Sequence, residues 1–236
     1  MTSTSILILD QGKHHLVVYK PSNRVIVTGR GAPKPTLLDL LQTQFGKGIK
    51  PVHRLDRVTT GCCIFATSVY GQQALSDAFR KHLIDKRYLA IIEGVPHFKQ
   101  INIDARLKRI DTPNSKKSLA HQEISAEGQR ALTRVRVLCS HNNLTLIEAN
   151  PETGRMHQIR VHLSHLGFPI LGDTLYGAKM LYYPHAIALH AHTITFPLPE
   201  GGGRRTVTAE PEKRFMDLTQ APKASSNWEH LPKDIL

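Results

Sequence analysis

Apolar residues fall along the chain in short runs punctuated by Gly, Pro and Asn, and the period of those runs switches repeatedly between two and three to four. The opening reads as two strands, ILIL at 6–9 and HLVVY at 15–19, whose β-branched residues suit a pleated surface. Lys20-Pro21 ends the second. After a Gly/Pro-rich loop at 29–35, Thr36 stands where it can cap a helix over 37–45, with Leu37, Leu38, Leu41 and Phe45 on one side. The polar segment PVHRLDRVTTG at 51–61 then runs into CCIFA at 62–66, an unbroken apolar run that predicts a strand covered on both faces.

Leu75, Ala78, Phe79 and Leu83 recur at helical spacing within 69–84, and a strand at 88–93 follows, closed by Gly94. Residues 99–130 are rich in Lys, Arg, Ser and Gln and are expected to form surface loops and hairpins. ALTRVRVL at 131–138 and NLTLIEA at 143–149 read as a hairpin turning through His141-Asn142-Asn143, a composition that tolerates positive φ. Met156, Ile159, Leu163 and Leu166 form a helical stripe over 154–166, which Gly167 and Pro169 terminate. Two more strands, 186–196 and 204–210, flank the turn PLPEGGG. The pattern therefore predicts an α+β fold: a mixed, mostly antiparallel sheet flanked by helices and basic loops, with one domain at 1–220 and a loose tail at 221–236.

Composition adds the class of partner. Among 236 residues, 31 Lys and Arg oppose 19 Asp and Glu, a formal net charge of +12. Such an excess favours a polyanion, because each cation that neutralises a phosphate releases a condensed counterion. No stretch approaches the roughly 18 consecutive apolar residues of a membrane helix, and the N-terminus lacks a basic-then-apolar signal. Three cysteines, two of them adjacent at 62 and 63, leave little scope for a disulfide framework and suit a reducing compartment, so a cytoplasmic location is expected.

Two polar segments carry candidate chemistry. In His53-Arg54-Leu55-Asp56-Arg57-Val58-Thr59-Thr60-Gly61 a lone carboxylate sits between two arginines beside a strand start, and the neighbouring cations favour its ionised form. In Thr153-Gly154-Arg155-Met156-His157-Gln158-Ile159-Arg160 the spacing puts His157 and Arg160 on one helical face. A guanidinium rising from a buried helix needs an anion, and Asp56 is the expected partner of Arg160. A metal site is the alternative use of the histidines at 157, 162, 165, 190 and 192, but no acidic ligand accompanies them at zinc-site spacing.

These segments carry a family likeness. HRLDRVTTG resembles the HRLDxxTSG motif of the RluA-type RNA pseudouridine synthases, and TGRMHQIRVHLSHLGFPILGDTLYG is similar to that family's TGRxHQIRxHLxxxGxPIxGDxxYG block. HLVVYKP and KRYLAIIEG resemble its N-terminal strand and its KxYxAxVxG strand, so the likeness runs in order from about residue 6 to 212. It implies isomerisation of uridine to pseudouridine in structured RNA, tRNA or rRNA, by a monomer without cofactor or metal. Carried over by position, Asp56 is the essential carboxylate, Tyr88 lies against the target base and Arg160 pairs with the aspartate, while Arg54 takes the flipped uridine's place or assists flipping.

His53, Arg57, Thr59, Arg155, His157 and Gln158 complete the expected substrate-binding set. Attack of Asp56 on C1′ and removal of a sugar proton to give a glycal both stay open. Thr60 in place of Ser, Met156 beside His157 and the cysteine pair depart from the motifs without touching Asp56, Tyr88 or Arg160. Recognition is expected from the catalytic surface and the basic 99–130 region. A non-catalytic RNA-binding module on the same fold is the rival reading.

Overall fold

The computed structural model describes residues 6–29, 33–111, 120–183 and 185–219. Their strands form one sheet built around a parallel pair. In chain order they are β1 (Ile8–Gln11), β2 (His15–Lys20), β3 (Lys50–Pro51), β4 (Thr60–Ala66), β5 (Asp85–Glu93), β6 (Gln100–Ile110), β7 (His121–Ile124), β8 (Gln129–His141), β9 (Leu144–Pro151), β10 (Leu189–Pro197) and β11 (Arg204–Thr208). Across the sheet they run β1-β2-β4-β10-β5-β9-β8-β6-β7, with β3 on β4 and β11 on β10. Only β4 and β10 pair in parallel; every other ladder is antiparallel, as the α+β pattern predicts.

The apolar run of β4 is covered on both sides. Cys62, Ile64 and Ala66 join Leu75 and Ala78 of α2 (Val69–Arg80), while Cys63 and Phe65 point the other way, to Leu37 and Leu41 of α1 (Leu37–Phe45). Thr36 caps α1 through a full capping box with Asp39. The β8–β9 turn places Asn142 and Asn143 at φ 48° and 58°, the left-handed pair a tight hairpin needs. A third apolar cluster packs α3 (Gln158–His165), through Ile159 and Leu163, against β5 and β9.

Three local expectations are corrected. Part of the expected 99–130 loop region is the 11-residue strand β6, paired with β8 from Gln100↔Arg136 to Leu107↔Gln129. Its period of two is legible in Ile101, Ile103, Ala105 and Leu107, alternating with Asn102, Asp104, Arg106 and Lys108; the dense charge belongs to its outer face. Residues 112–119 lie outside the described residues, as does the tail at 221–236. The third helix begins at Gln158, not 154, because His157 is left-handed, with φ 55° and ψ 16°. Helix α2 ends at Arg80, short of the expected 84, because His82 turns to φ 55°.

Gly61 explains how β4 and β10 meet. It has φ +106°, and a Cβ there would stand 2.2 Å from the carbonyl oxygen of Ala191, so only glycine permits this approach. The approach brings the segment leading into β4 beside Tyr88, which pairs with Ala191 on β10 and Ala149 on β9.

Candidate active site

Asp56 lies on the turn between β3 and β4, and its position is set by a buried lysine. Lys20, at the end of β2, has no exposed surface, and its ammonium donates to the carbonyls of Pro21 at 3.0 Å, Arg57 at 3.1 Å and Thr59 at 2.6 Å. Burial pushes its pKa down to about 8, and the nearby Asp56 charge opposes that fall. Three donors meet three acceptors, so the backbone on the C-terminal side of Asp56 is pinned from below. Thr59 N–H donates to the Asp56 carbonyl at 3.1 Å and closes the turn.

The Asp56 carboxylate is partly exposed, and its Oδ2 faces two cationic or N–H-bearing groups. Arg160 Nη1 stands 3.4 Å away and His157 Nε2 3.9 Å away. Arg160 is 5% exposed, and its other two nitrogens belong to Asp173, with Nε at 2.7 Å from Oδ2 and Nη2 at 2.8 Å from Oδ1. Burial works against the guanidinium's charge. The Asp173 hydrogen bonds and charge outweigh it, with Asp56 adding to them, and the pKa is raised. The expected pairing of Arg160 with Asp56 is present through one nitrogen, and the fold adds a bidentate partner, Asp173, on the other two.

His157 owes its reach to its left-handed backbone, which turns the ring off the helix axis. Its Nδ1 lies 2.8 Å from Tyr176 Oη, which accepts Gln122 N–H at 3.0 Å. In the neutral tautomer that accepts the Tyr176 hydroxyl hydrogen bond at Nδ1, the imidazole N–H is on Nε2, facing Asp56. Burial lowers the His157 pKa against the pull of Asp56, so the ring is neutral at pH 7. Arg160 also lies over the Tyr176 ring at 4.9 Å.

Tyr88 is half-buried between two apolar clusters on β5. Burial raises its pKa and the nearby Asp56 charge raises it further, so the phenol holds its proton. Ring, carboxylate and guanidinium therefore converge from a strand, a turn and a helix. A separate cleft of about 320 Å³, lined by Lys108, Arg109, Gln122, Gly154, Arg155 and Met156, connects to this group through Met156, next to His157 in the chain, and Gln122, whose N–H bonds Tyr176.

A carboxylate held by one guanidinium nitrogen, next to a protonated phenol in a half-dry pocket and a basic cleft, suits chemistry on a flipped base of a polyanion. Residues 14–165 match the family model described as RNA pseudouridylate synthase. The chain belongs to the RNA pseudouridylate synthase family. It is 38% identical over 170 residues to an uncharacterized RNA pseudouridine synthase of Zymomonas mobilis, covering 71% of this chain and 75% of the relative. It is 33% identical over 221 residues to the ribosomal large subunit pseudouridine synthase D of the same organism, covering 86% and 68%. The dual-specificity RNA pseudouridine synthase RluA of Vibrio cholerae is 31% identical over 201 residues, 85% of this chain and 80% of that one. The fold matches that of human RNA pseudouridylate synthase domain containing 4 with a TM-score of 0.73 at 24% identity, covering 91% and 93%. Like these relatives, the chain is an RNA pseudouridine synthase, an enzyme that isomerises uridine in RNA.

The synthase fold brings Asp56, Tyr88, His157 and Arg160 together, and it distributes the rest of the expected set. Arg54, Arg57 and Arg155 are exposed around the site; Arg57 Nε donates to Asn23 at 2.7 Å and Arg155 Nε to the Arg130 carbonyl at 3.2 Å. His53 turns inward, where Nε2 accepts Ile64 N–H at 3.0 Å and the ring stacks on Phe79 at 4.8 Å. Thr59 is buried and serves through its backbone.

Gln158 is saturated: its oxygen accepts from Thr153 Oγ1 and Arg155 N–H, and its amide donates to the Leu132 carbonyl and Thr133 Oγ1. A direct substrate contact by Gln158 is therefore replaced by positioning of the 153–158 turn. His190 and His192 both bond the Ala209 carbonyl, and His162 bonds Thr133. Sequence reasoning missed Asp173, Lys20 and Tyr176. Asp173 and Tyr176 stand in the GDTLYG segment and Lys20 in HLVVYKP, where a charged residue closing an otherwise apolar strand was the available signal.

Proposed function

We propose that Asp56 is the catalytic carboxylate of this isomerisation, acting on a uridine of structured RNA, tRNA or rRNA, that has been extruded into the site. The observation that carries the reading is the split engagement of Arg160, two nitrogens on Asp173 and one toward Asp56 Oδ2. Asp56 is thereby aimed while Oδ1 takes no hydrogen bond from the described residues, leaving that oxygen for the ribose. As N1 leaves C1′ with the bonding pair, Asp56 either bonds C1′ or takes a sugar proton to give a glycal; the uracil turns against the flat face of Tyr88, C5 bonds C1′ as the carboxylate departs or returns its proton, and C5 then loses a proton while N1 gains one. The protonated phenol of Tyr88 donates a hydrogen bond to the freed base.

Arg54, Arg57 and Arg155 ring the site as exposed cations and supply phosphate contacts, with Lys108 and Arg109 extending them along the cleft. The name of one relative, a ribosomal large subunit enzyme, supports rRNA within the substrate class, and another is named as of dual specificity. Action as a monomer through a single catalytic domain at 1–220 belongs to the same reading, and three free cysteines support a cytoplasmic setting.

The test is pseudouridine mapping of total RNA from cells lacking the protein, after incubation with wild type or with Asp56→Asn. New sites with wild type and none with the nearly isosteric variant, at similar RNA affinity, are expected. Equal modification by both would remove Asp56 from the reaction, and none by either would favour a binding module.

A further inference from the structure

We propose that the segment 178–183 is a second RNA contact, a platform on which a base other than the target uridine stacks against Tyr183. The inference rests on RNA being the substrate and adds a place for it to bind. Leu181 is 83% exposed, Tyr183 51% and Met180 47%, an apolar surface at the rim of the site. Loops that carry exposed apolar side chains without function are commonly loose, whereas this one is tied down. The N–H groups of Lys179 and Met180 donate to the Glu93 carboxylate at 3.0 and 2.8 Å, and the Met180 carbonyl accepts Gly172 N–H at 3.1 Å. Gly172, with φ +85°, leaves the room in which Tyr182 sits, since a Cβ there would stand 2.8 Å from Tyr182 Cβ. The next residue is Asp173, the buried partner of Arg160.

The chemistry of the surface selects a nucleobase. Arg214 lies over the Tyr183 ring with its guanidinium carbon 4.4 Å from the centroid, and its Nη2 donates to the Tyr182 carbonyl at 3.2 Å. A ring with a cation fixed on it and half its surface open offers both a stacking face and a charge for the adjoining phosphate. Among the described residues the acidic group that acts on Tyr182 is Glu212. His185, two residues past Tyr183, lies by the turn that carries Asp56: Ser22 Oγ stands 3.2 Å from the His185 carbonyl and 3.2 Å from that of Val58, two residues past Asp56. A base held on Tyr183 therefore belongs to the same RNA strand or fold as the uridine at Asp56.

The experiment uses the full chain and reads binding, so it is independent of catalysis. The probes are a labelled oligouridylate of about 12 nucleotides and an abasic ribose-phosphate strand of the same length. Wild type is expected to prefer the base-bearing strand. Tyr183→Ala and Tyr183→Leu should each lose about tenfold of that affinity, Tyr183→Phe should keep it, and binding of the abasic strand should stay the same in all four proteins. Equal weakening on both strands, or none on either, would overturn the platform. Tight self-association of wild type that Tyr183→Ala abolishes, with RNA binding unchanged, would reassign the surface to a second copy of the chain and overturn it too. Pseudouridine formation by wild type is scored separately, so a failure of the reaction assignment does not touch this result.

Discussion

The Arg160 guanidinium meets the Asp173 carboxylate edge to edge, with both carboxylate oxygens engaged and both side chains almost wholly buried. Such a pair is costly to break from one side, because the group left behind keeps its charge without a partner. The expected result of Asp173→Asn is a loss of about 3–5 kcal/mol of stability. Turnover should fall on the order of a hundredfold, because the freed guanidinium swings toward Asp56 and displaces it from the attack geometry. Arg160→Lys should show the same kinetic loss, since one ammonium cannot span two carboxylates. Urea midpoints and initial rates of pseudouridine formation check both; a normal rate in either variant would mean that Asp56 needs no such support.

Tyr88→Phe separates the ring from its hydroxyl. Burial and Asp56 hold the phenol protonated, so it can donate to a base but is a poor base itself at neutral pH. The variant keeps the flat surface and its packing. RNA affinity is expected to stay within about twofold, while turnover drops by roughly a hundredfold or more, the usual scale for a positioned proton donor or relay. Unchanged turnover would leave Tyr88 a stacking role alone.

Several local elements were legible in the sequence because their causes are local. The helix Leu37–Phe45 is fixed by its own cap and stripe, and the β8–β9 turn by two adjacent asparagines. Asp56 and Arg160 stood out for their charge against apolar surroundings. What stayed hidden is set by partners far apart in the chain. Lys20 is 37 and 39 residues from two of the carbonyls it holds, and nothing in HLVVYKP says that its ammonium turns under the Asp56 loop. Asp173 competes with Asp56 for one guanidinium, and only the fold decides the winner. Strand β6 was masked by charge on its solvent face although its alternation is complete.

Acid should unfold the protein through histidines before carboxylates. Burial pushes His53 down to about 3 and His162 and His190 down to about 4, against an ordinary value of 6.5. Between pH 6.5 and 4 the unfolded chain therefore binds protons at these positions that the folded chain refuses, so stability falls as pH falls. Each histidine contributes up to about 1.4 kcal/mol per pH unit. Urea midpoints at pH 7, 6 and 5 are expected to drop progressively, and a flat profile down to pH 5 would mean that these rings charge freely in the folded state.

Lys20→Met puts two large effects in opposition. A pKa lowered from 10.5 to about 8 means that holding the cation costs the fold about 3 kcal/mol, which Met removes. Met also strips the donor from three carbonyls; only the Thr59 contact is fully buried, at about 1–3 kcal/mol, while the other two are partly buried and can turn to water. The two nearly cancel, so global stability at pH 7 should move by less than about 2 kcal/mol. The pH dependence has a definite sign. From about 8 to 10.5 the unfolded wild type keeps a proton that the folded form has released, so wild type gains stability over that window and the variant lacks this gain. Catalysis has no such compensation: the backbone behind Asp56 loses its pin, and displacement of the carboxylate by an ångström costs on the order of a hundredfold in rate. Near-native urea stability with turnover reduced to that extent is the expected pair of results, measured on the same preparation. Wild-type turnover in Lys20→Met would show that the carbonyl contacts of Lys20 serve the fold and not the placement of Asp56.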